Sequence, residues 1–230
     1  MLTGELNKIT AEIKRFGLFN FCQFKVVEYY YRHKFKSFGV KYPENQDNQL
    51  TANRQPANND FRKNQSSTYF AIKRAFSNVS INFSQMSLLD IGCGDGKVLN
   101  LAMQLKCKNV VGIDIDEKPV NQTIYNCKQM QAAGSNVPFN IYRADASNYT
   151  IPPGTNVIYM FNPFGEKTMT AVVNNIISYQ RSQKEDLYVI YIVAVHKNIF
   201  LNHRNCKKIY ELKRKGKSET EVVVFKIINE

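Results

Sequence analysis

Residues 88–97 read Leu-Leu-Asp-Ile-Gly-Cys-Gly-Asp-Gly-Lys, an apolar run that closes on an acid, then glycines at 92, 94 and 96 with a helical pattern beyond. That order predicts a strand, a tight turn and a helix. A side chain at Gly92, Gly94 or Gly96 would oppose positive φ or hold a ligand away from the backbone, while the free N–H groups of the next helix point at whatever is bound. A dinucleotide fold wants G-x-G-x-x-G; here the third glycine comes one residue early and position 97 is lysine, which disfavours a nicotinamide enzyme. Asp90, two residues before Gly92, points the same way. A carboxylate beside the loop repels a pyrophosphate but suits a ligand carrying an ammonium or sulfonium.

The following segments repeat the pattern of an apolar run ending in a polar residue. Residues 109–114 end on Asp114, 24 positions after Asp90, close to where a Rossmann-like unit places the acid that binds a ribose diol. One carboxylate there can accept from both hydroxyls. Asp116 and Glu117 then open a helix, where acids favour the N-terminal dipole. Residues 139–146 predict a third strand ending at Asp145 and Ala146, and residues 156–161 a fourth that runs into Asn162-Pro163-Phe164-Gly165. Met169, Val172, Val173, Ile176 and Ile177 lie on one helical face. The continuous apolar run 187–195 reads as a central parallel strand that delivers His196 to the same edge. Residues 207–212 and 221–228, joined by a turn over 214–218, predict an antiparallel hairpin. Glycine turns are common connections and acids at strand ends are often helix caps. Four such features at the ends of successive strands would instead line the carboxyl edge where open α/β sheets bind ligands.

Asp-Ile-Gly-Cys-Gly-Asp-Gly at 90–96 resembles the first motif of the class I methyltransferases, and the later elements follow in that family's order. The resemblance implies an α/β, Rossmann-like seven-stranded sheet, mostly parallel with an antiparallel last strand, helices on both faces and here an N-terminal helical extension. It implies S-adenosyl-L-methionine as cofactor, held by Asp90, Gly92, Cys93, Gly94, Gly96, Asp114, Ile115, Asp145, Ala146 and Asn162. Asp145 would meet the adenine amino group, and Cys93 is a small residue tolerated in the loop. Asn162-Pro163-Phe164 looks like the Asn/Asp-Pro-Pro-Tyr/Phe loop of amino methyltransferases, with one proline in place of two. By that likeness Asn162 and Phe164 orient the substrate. Phe-Asn-Pro-Phe-Gly is also similar to a set of bacterial class I methyltransferases with a Tyr-x-Pro-Thr-Pro-Tyr-like segment before the first strand; here residues 64–69 are Asn-Gln-Ser-Ser-Thr-Tyr, without either proline.

The 230 residues suit one methyltransferase domain, expected over 66–230, plus an extension over 1–65. With 43% hydrophobic residues the chain can bury a core, yet no run of about 18 apolar residues exists to span a membrane. No secretion signal is visible at the start, so a cytoplasmic location is expected. Five scattered cysteines without a C-x-x-C pair read as free thiols, and no metal site is expected. The extension begins with helical character over 4–36 (Leu6, Ile9, Ile13, Phe16), turns aromatic and basic over 19–42, and ends in an Asn/Gln-rich linker over 43–65. Its aromatic stripe can be core packing or a surface on which bases stack. Helical signal returns at 67–78.

The net charge of +12 is uneven: residues 1–42 carry eight basic against three acidic residues, and residues 204–217 seven against one. Basic ends around an acidic pocket would draw an anionic partner, although lysine on a solvated face is ordinary. Three functions fit. The first is methylation of an amine of a protein or small molecule, supported by Asn162 and Phe164. The second is methylation of a glycan hydroxyl or of RNA, supported by the basic ends and by His196 as a base; a lone histidine at a strand end is otherwise a structural residue. The third is a non-catalytic partner subunit with the methyltransferase fold.

Overall fold

The computed structural model describes residues 18–42, 67–213 and 220–229. The stripe at 6–16, the linker at 43–65 with the expected boundary at 65/66, and the turn at 214–218 lie outside the described residues. Seven strands form one sheet in the order β3-β2-β1-β4-β5-β7-β6. They are β1 (Ser87–Ile91), β2 (Asn109–Asp114), β3 (Phe139–Arg143), β4 (Val157–Phe161), β5 (Leu187–Ile192), β6 (Cys206–Lys213) and β7 (Thr220–Ile227). β3, β2, β1, β4 and β5 run parallel, and β7 pairs antiparallel with both β5 and β6. The chain leaves β1 for β2 and β3 on one side and returns to β4 on the other. The crevice between β1 and β4 is therefore the place where an open α/β sheet receives a ligand.

The central strands are buried on both faces, which explains their unbroken apolar runs. Alternate residues of β4 enter two different cores: Val157 and Tyr159 face one, Ile158 and Met160 the other. The first core is covered by α1 (Leu18–Ser37), α2 (Tyr69–Phe76), α3 (Lys97–Gln104) and α4 (Glu117–Ala132). The second is covered by α5 (Glu166–Arg181) and α6 (Lys197–Leu201). On α5 the five expected residues, Met169, Val172, Val173, Ile176 and Ile177, are all buried. On α2, Tyr69, Ile72, Ala75 and Phe76 are buried, and the Thr68 hydroxyl caps the helix by accepting from Ala71 N at 3.2 Å.

Helix α1 divides by face. Tyr31 and Phe35 are buried and pack on Tyr69, joining the first core, whereas Val26, Tyr29 and Tyr30 stand in solvent. β5 is shorter than its apolar run. It stops at Ile192 because Val193 turns to φ +49, its N–H donating to the Glu221 carbonyl. Residues 193–195 instead form a bend in which only Ala194 is buried and Val195 is 52% exposed, a course that hydropathy cannot separate from strand. Among the described residues no helix is long and apolar enough to cross a membrane.

Candidate functional site

The glycine loop leaves β1 and enters α3 through three left-handed residues, Gly92 (φ +78), Gly94 (φ +52) and Gly96 (φ +78). Two of them are also pressed from outside. A Cβ on Gly92 would lie 3.2 Å from Cβ of Pro163 in the loop after β4, and one on Gly96 would lie 2.8 Å from Cγ2 of Thr123 on α4. The backbone is tied down on the same sides. Gly92 and Cys93 both donate to the Ile113 carbonyl, Thr123 Oγ1 donates to the Gly94 carbonyl at 2.5 Å, and Asn126 Nδ2 to the Asp95 carbonyl at 2.9 Å. The loop is thus held as a fixed cradle by β2 and α4.

Asp90, the penultimate residue of β1, lies behind this cradle. Its side chain is 2% exposed and Oδ2 has no hydrogen-bond partner. Burial, and then the neighbouring Asp114, push its carboxyl well above the usual carboxylate range. An unpartnered carboxylate in an apolar wall is costly unless a cation meets it. Asp114, at the end of β2, is likewise raised by burial, but its oxygens are partly satisfied: Oδ2 accepts from Gly94 N at 3.0 Å and Oδ1 from Asp116 N at 3.1 Å. The thiol of Cys93 is pushed up by burial and by the acids Asp90 and Asp114, so it stays protonated and inert as a nucleophile.

Asp90, Gly92, Cys93 and Gly94 share one cavity of about 40 Å³ with Ser67, Asp95, Lys97, Val98, Tyr159 and Phe161. Asp114, Ile115, Asp145, Ala146, Asn162, Phe164 and His196 are not part of its lining. Ile115 is exposed, and its carbonyl accepts from Arg143 Nε at 3.1 Å. Asp145 lies two residues beyond β3, exposed, with Oδ1 accepting from the backbone and hydroxyl of Ser147. Ala146 is buried in the second core.

On the other side of the crevice Asn162 follows β4 with φ +36, and its side chain is buried. The hydroxyl of Tyr191, itself fully buried on β5, donates to Asn162 Oδ1 at 3.4 Å and accepts from His196 N at 3.3 Å. One phenol thereby couples Asn162 to the segment bearing His196. The imidazole Nε2 of His196 is buried with no hydrogen-bond partner. Two non-glycine residues in the left-handed region, Asn162 and Val193, flank this corner. Asparagine tolerates that region; for β-branched valine it is strain of the kind that collects at functional sites. Phe164 is packed into the second core and presents no open ring face at the edge.

Several contributors carry no local sequence signal. Tyr159 donates its hydroxyl to Ser67 Oγ at 2.6 Å across 92 positions, and burial pushes its phenol above the ordinary range. The only hint is a polar-tipped residue inside an apolar strand, which must find a partner when buried. Tyr191 gives the same hint. Lys97 sits 4.2 Å over the Tyr69 ring and 4.0 Å from Glu28, with burial lowering its pKa against the pull of Glu28. Glu28 also accepts from Phe70 N at 2.9 Å, so α1 is fastened to both α2 and the helix that follows the glycine loop.

The donor set fits S-adenosylmethionine: a buried carboxylate oxygen without a partner beside the cradle, and Asp114 at the neighbouring strand end where a ribose diol belongs. When bound, that cofactor supplies a methyl group on a positively charged sulfur.

Comparison with known proteins agrees. Residues 88–182 match the methyltransferase domain family. No curated protein sequence matches the chain. Among solved structures, an RNA methyltransferase from Salinibacter ruber in complex with S-adenosyl-L-homocysteine is similar at 17% identity and TM-score 0.52, over 72% of this chain and 95% of that one. A SAM-dependent methyltransferase from Aquifex aeolicus has 14% identity and TM-score 0.51, over 69% and 89%. The StiE O-methyltransferase segment has 11% identity and TM-score 0.53, over 70% and 74%. At these identities the structures speak for the fold alone. With this sheet order and the glycine cradle between β1 and α3, residues 88–182 match a methyltransferase domain, and the site fits S-adenosylmethionine as its cofactor.

Proposed function

We propose that this enzyme transfers the methyl group to an amine nitrogen. One observation carries the reading: the Asn162 amide, at the end of β4 beside the glycine loop, has its oxygen oriented by a buried phenol. Methyl transfer from sulfur asks the protein chiefly to align the reactants. An amine that enters neutral needs an oxygen acceptor to fix its N–H and so aim its lone pair. The Asn162 amide oxygen and the Phe161 carbonyl are suited to that task, and the surplus proton passes to water after the bond forms. In this reading Phe164 supports the loop from within the core, a change from the stacking role that the sequence resemblance suggests.

The test is the chemical identity of the product. Extract proteins, RNA and small molecules are incubated with enzyme and methyl-labelled cofactor, and the labelled species are digested and identified by mass spectrometry. The label is expected on nitrogen, and Asn162→Ala is expected to lower kcat by about 100-fold, the scale for misplaced reactants, with cofactor affinity unchanged. Label on oxygen, or full turnover by Asn162→Ala, overturns the proposal. A second reading, transfer to a hydroxyl, is favoured by the buried, unpartnered Nε2 of His196. It requires a base, so His196→Gln is expected to lower kcat while cofactor affinity stays unchanged.

A further inference from the structure

The outer face of α1 is the feature that neither the cofactor cradle nor the Asn162 corner uses. Its inner face is satisfied by Tyr31 and Phe35 in the first core. A surface helix should then be polar outside, yet Val26 and Tyr29 are each 67% exposed and Tyr30 is 51% exposed. With His33, these residues recur at helical spacing and form one stripe, and the Tyr29 and His33 rings pack tilted by 42° with centroids 4.1 Å apart. Alongside runs a second stripe, Lys25, Arg32 and Lys36 at i, i+7 and i+11, all exposed. Among the described residues no carboxylate forms an ion pair with Arg32 or Lys36. Glu28, the acid among the described residues of α1, is engaged by Lys97 and Phe70 N.

The two stripes lie against a groove of about 1290 Å³ that extends to Lys97. Lys97 also lines the cavity holding Asp90 and Gly92, so one side chain borders both spaces. Solvent-facing aromatic rings beside a row of cations match a ligand that offers flat π faces and a regularly spaced anionic backbone. In a peptide the acidic side chains themselves carry no aromatic face, and a duplex hides its bases.

We infer that α1 is a docking platform for single-stranded nucleic acid, with bases stacking on Tyr29 and Tyr30 and phosphates meeting Arg32 and Lys36. This deepens the proposed function by naming the class of molecule that carries the acceptor, and it rests on that reading only for the methylation, since docking is measured without cofactor.

The experiment is fluorescence anisotropy of a labelled single-stranded oligouridylate titrated with the full chain at several salt concentrations. Tyr29→Ala with Tyr30→Ala is expected to weaken binding about tenfold or more, while the Phe double variant retains it, because stacking needs the ring and not the hydroxyl. Arg32→Gln with Lys36→Gln is expected to make the log Kd against log salt slope shallower by about 0.7 per charge removed. Calorimetric cofactor binding by each variant reports an intact fold. The inference is overturned by absence of binding at low salt, by equal affinity for a duplex or for heparin, or by an Ala double variant that binds like the parent. Concentration-dependent self-association abolished by the same Ala changes would assign the face to a second copy and also overturn it. Label on oxygen in the product assay would defeat the amine reading while leaving this result standing.

Discussion

Replacing Asp90 by asparagine should move stability and cofactor affinity in opposite directions. The carboxylate is 2% exposed, Oδ2 has no partner, and burial with the nearby Asp114 raises its pKa. A group whose folded pKa is raised contributes stability that is fully present below its unfolded value and is lost as pH rises through the folded one. At neutral pH the free protein therefore carries the cost of a buried acid, and the amide isostere removes it. A buried charged group left unsatisfied costs on the order of 2 kcal/mol, which at this chain length corresponds to roughly 4–8 °C in Tm. Thermal unfolding without cofactor should show Asp90→Asn more stable at neutral pH, with the gap closing below about pH 4, where both states of the parent hold the proton. For cofactor the sign reverses: loss of a charge-assisted contact worth about 1.5–3 kcal/mol weakens Kd by roughly 10–150-fold. A lower Tm for Asp90→Asn at neutral pH, or unchanged cofactor affinity, would refute the reasoning.

Tyr191→Phe keeps the ring in the second core but removes the hydroxyl that orients Asn162 and receives His196 N. It should lower kcat about tenfold or more with cofactor Kd unchanged, measured by initial rates and calorimetry. Gly96→Ala meets both a φ of +78 and a Cβ contact of 2.8 Å with Thr123. The left-handed conformation alone costs about 1–2 kcal/mol, so denaturant unfolding should show at least that loss, together with weaker cofactor binding as Thr123 releases the Gly94 carbonyl.

The sheet and its cofactor edge were readable because each rests on local chemistry. Apolar runs buried on both faces need no knowledge of neighbours, and the early third glycine at 96 with Asp90 before the loop separates this turn from a dinucleotide one. The hairpin of β6 and β7 followed from proximity in sequence. What stayed hidden depends on distant pairing. Val193 leaves β5 through its φ of +49 while its N–H still donates to Glu221 on β7, so an apolar run overstated the strand. Phe164 looked like a displayed ring next to Asn162, but the course of the loop after β4 turns it into the second core. Tyr159 and Tyr191 gave only the weak hint of a phenol in an apolar strand, and Ser67 and Asn162, their partners, lie 92 and 29 positions away.

The sequence by itself determined the fold class, the cradle at 90–96 and the class of cofactor, since periodicity, glycine spacing and the placing of acids at strand ends are properties of short segments. Only the tertiary structure decided that Asp90 is an unpartnered buried acid, that Tyr191 couples Asn162 to His196, and which face of α1 is core and which is open. Burial and pairing are set by what other segments bring. The same aromatic residues that could have been core at Tyr31 or surface at Tyr29 were separated by the packing of α1 on Tyr69.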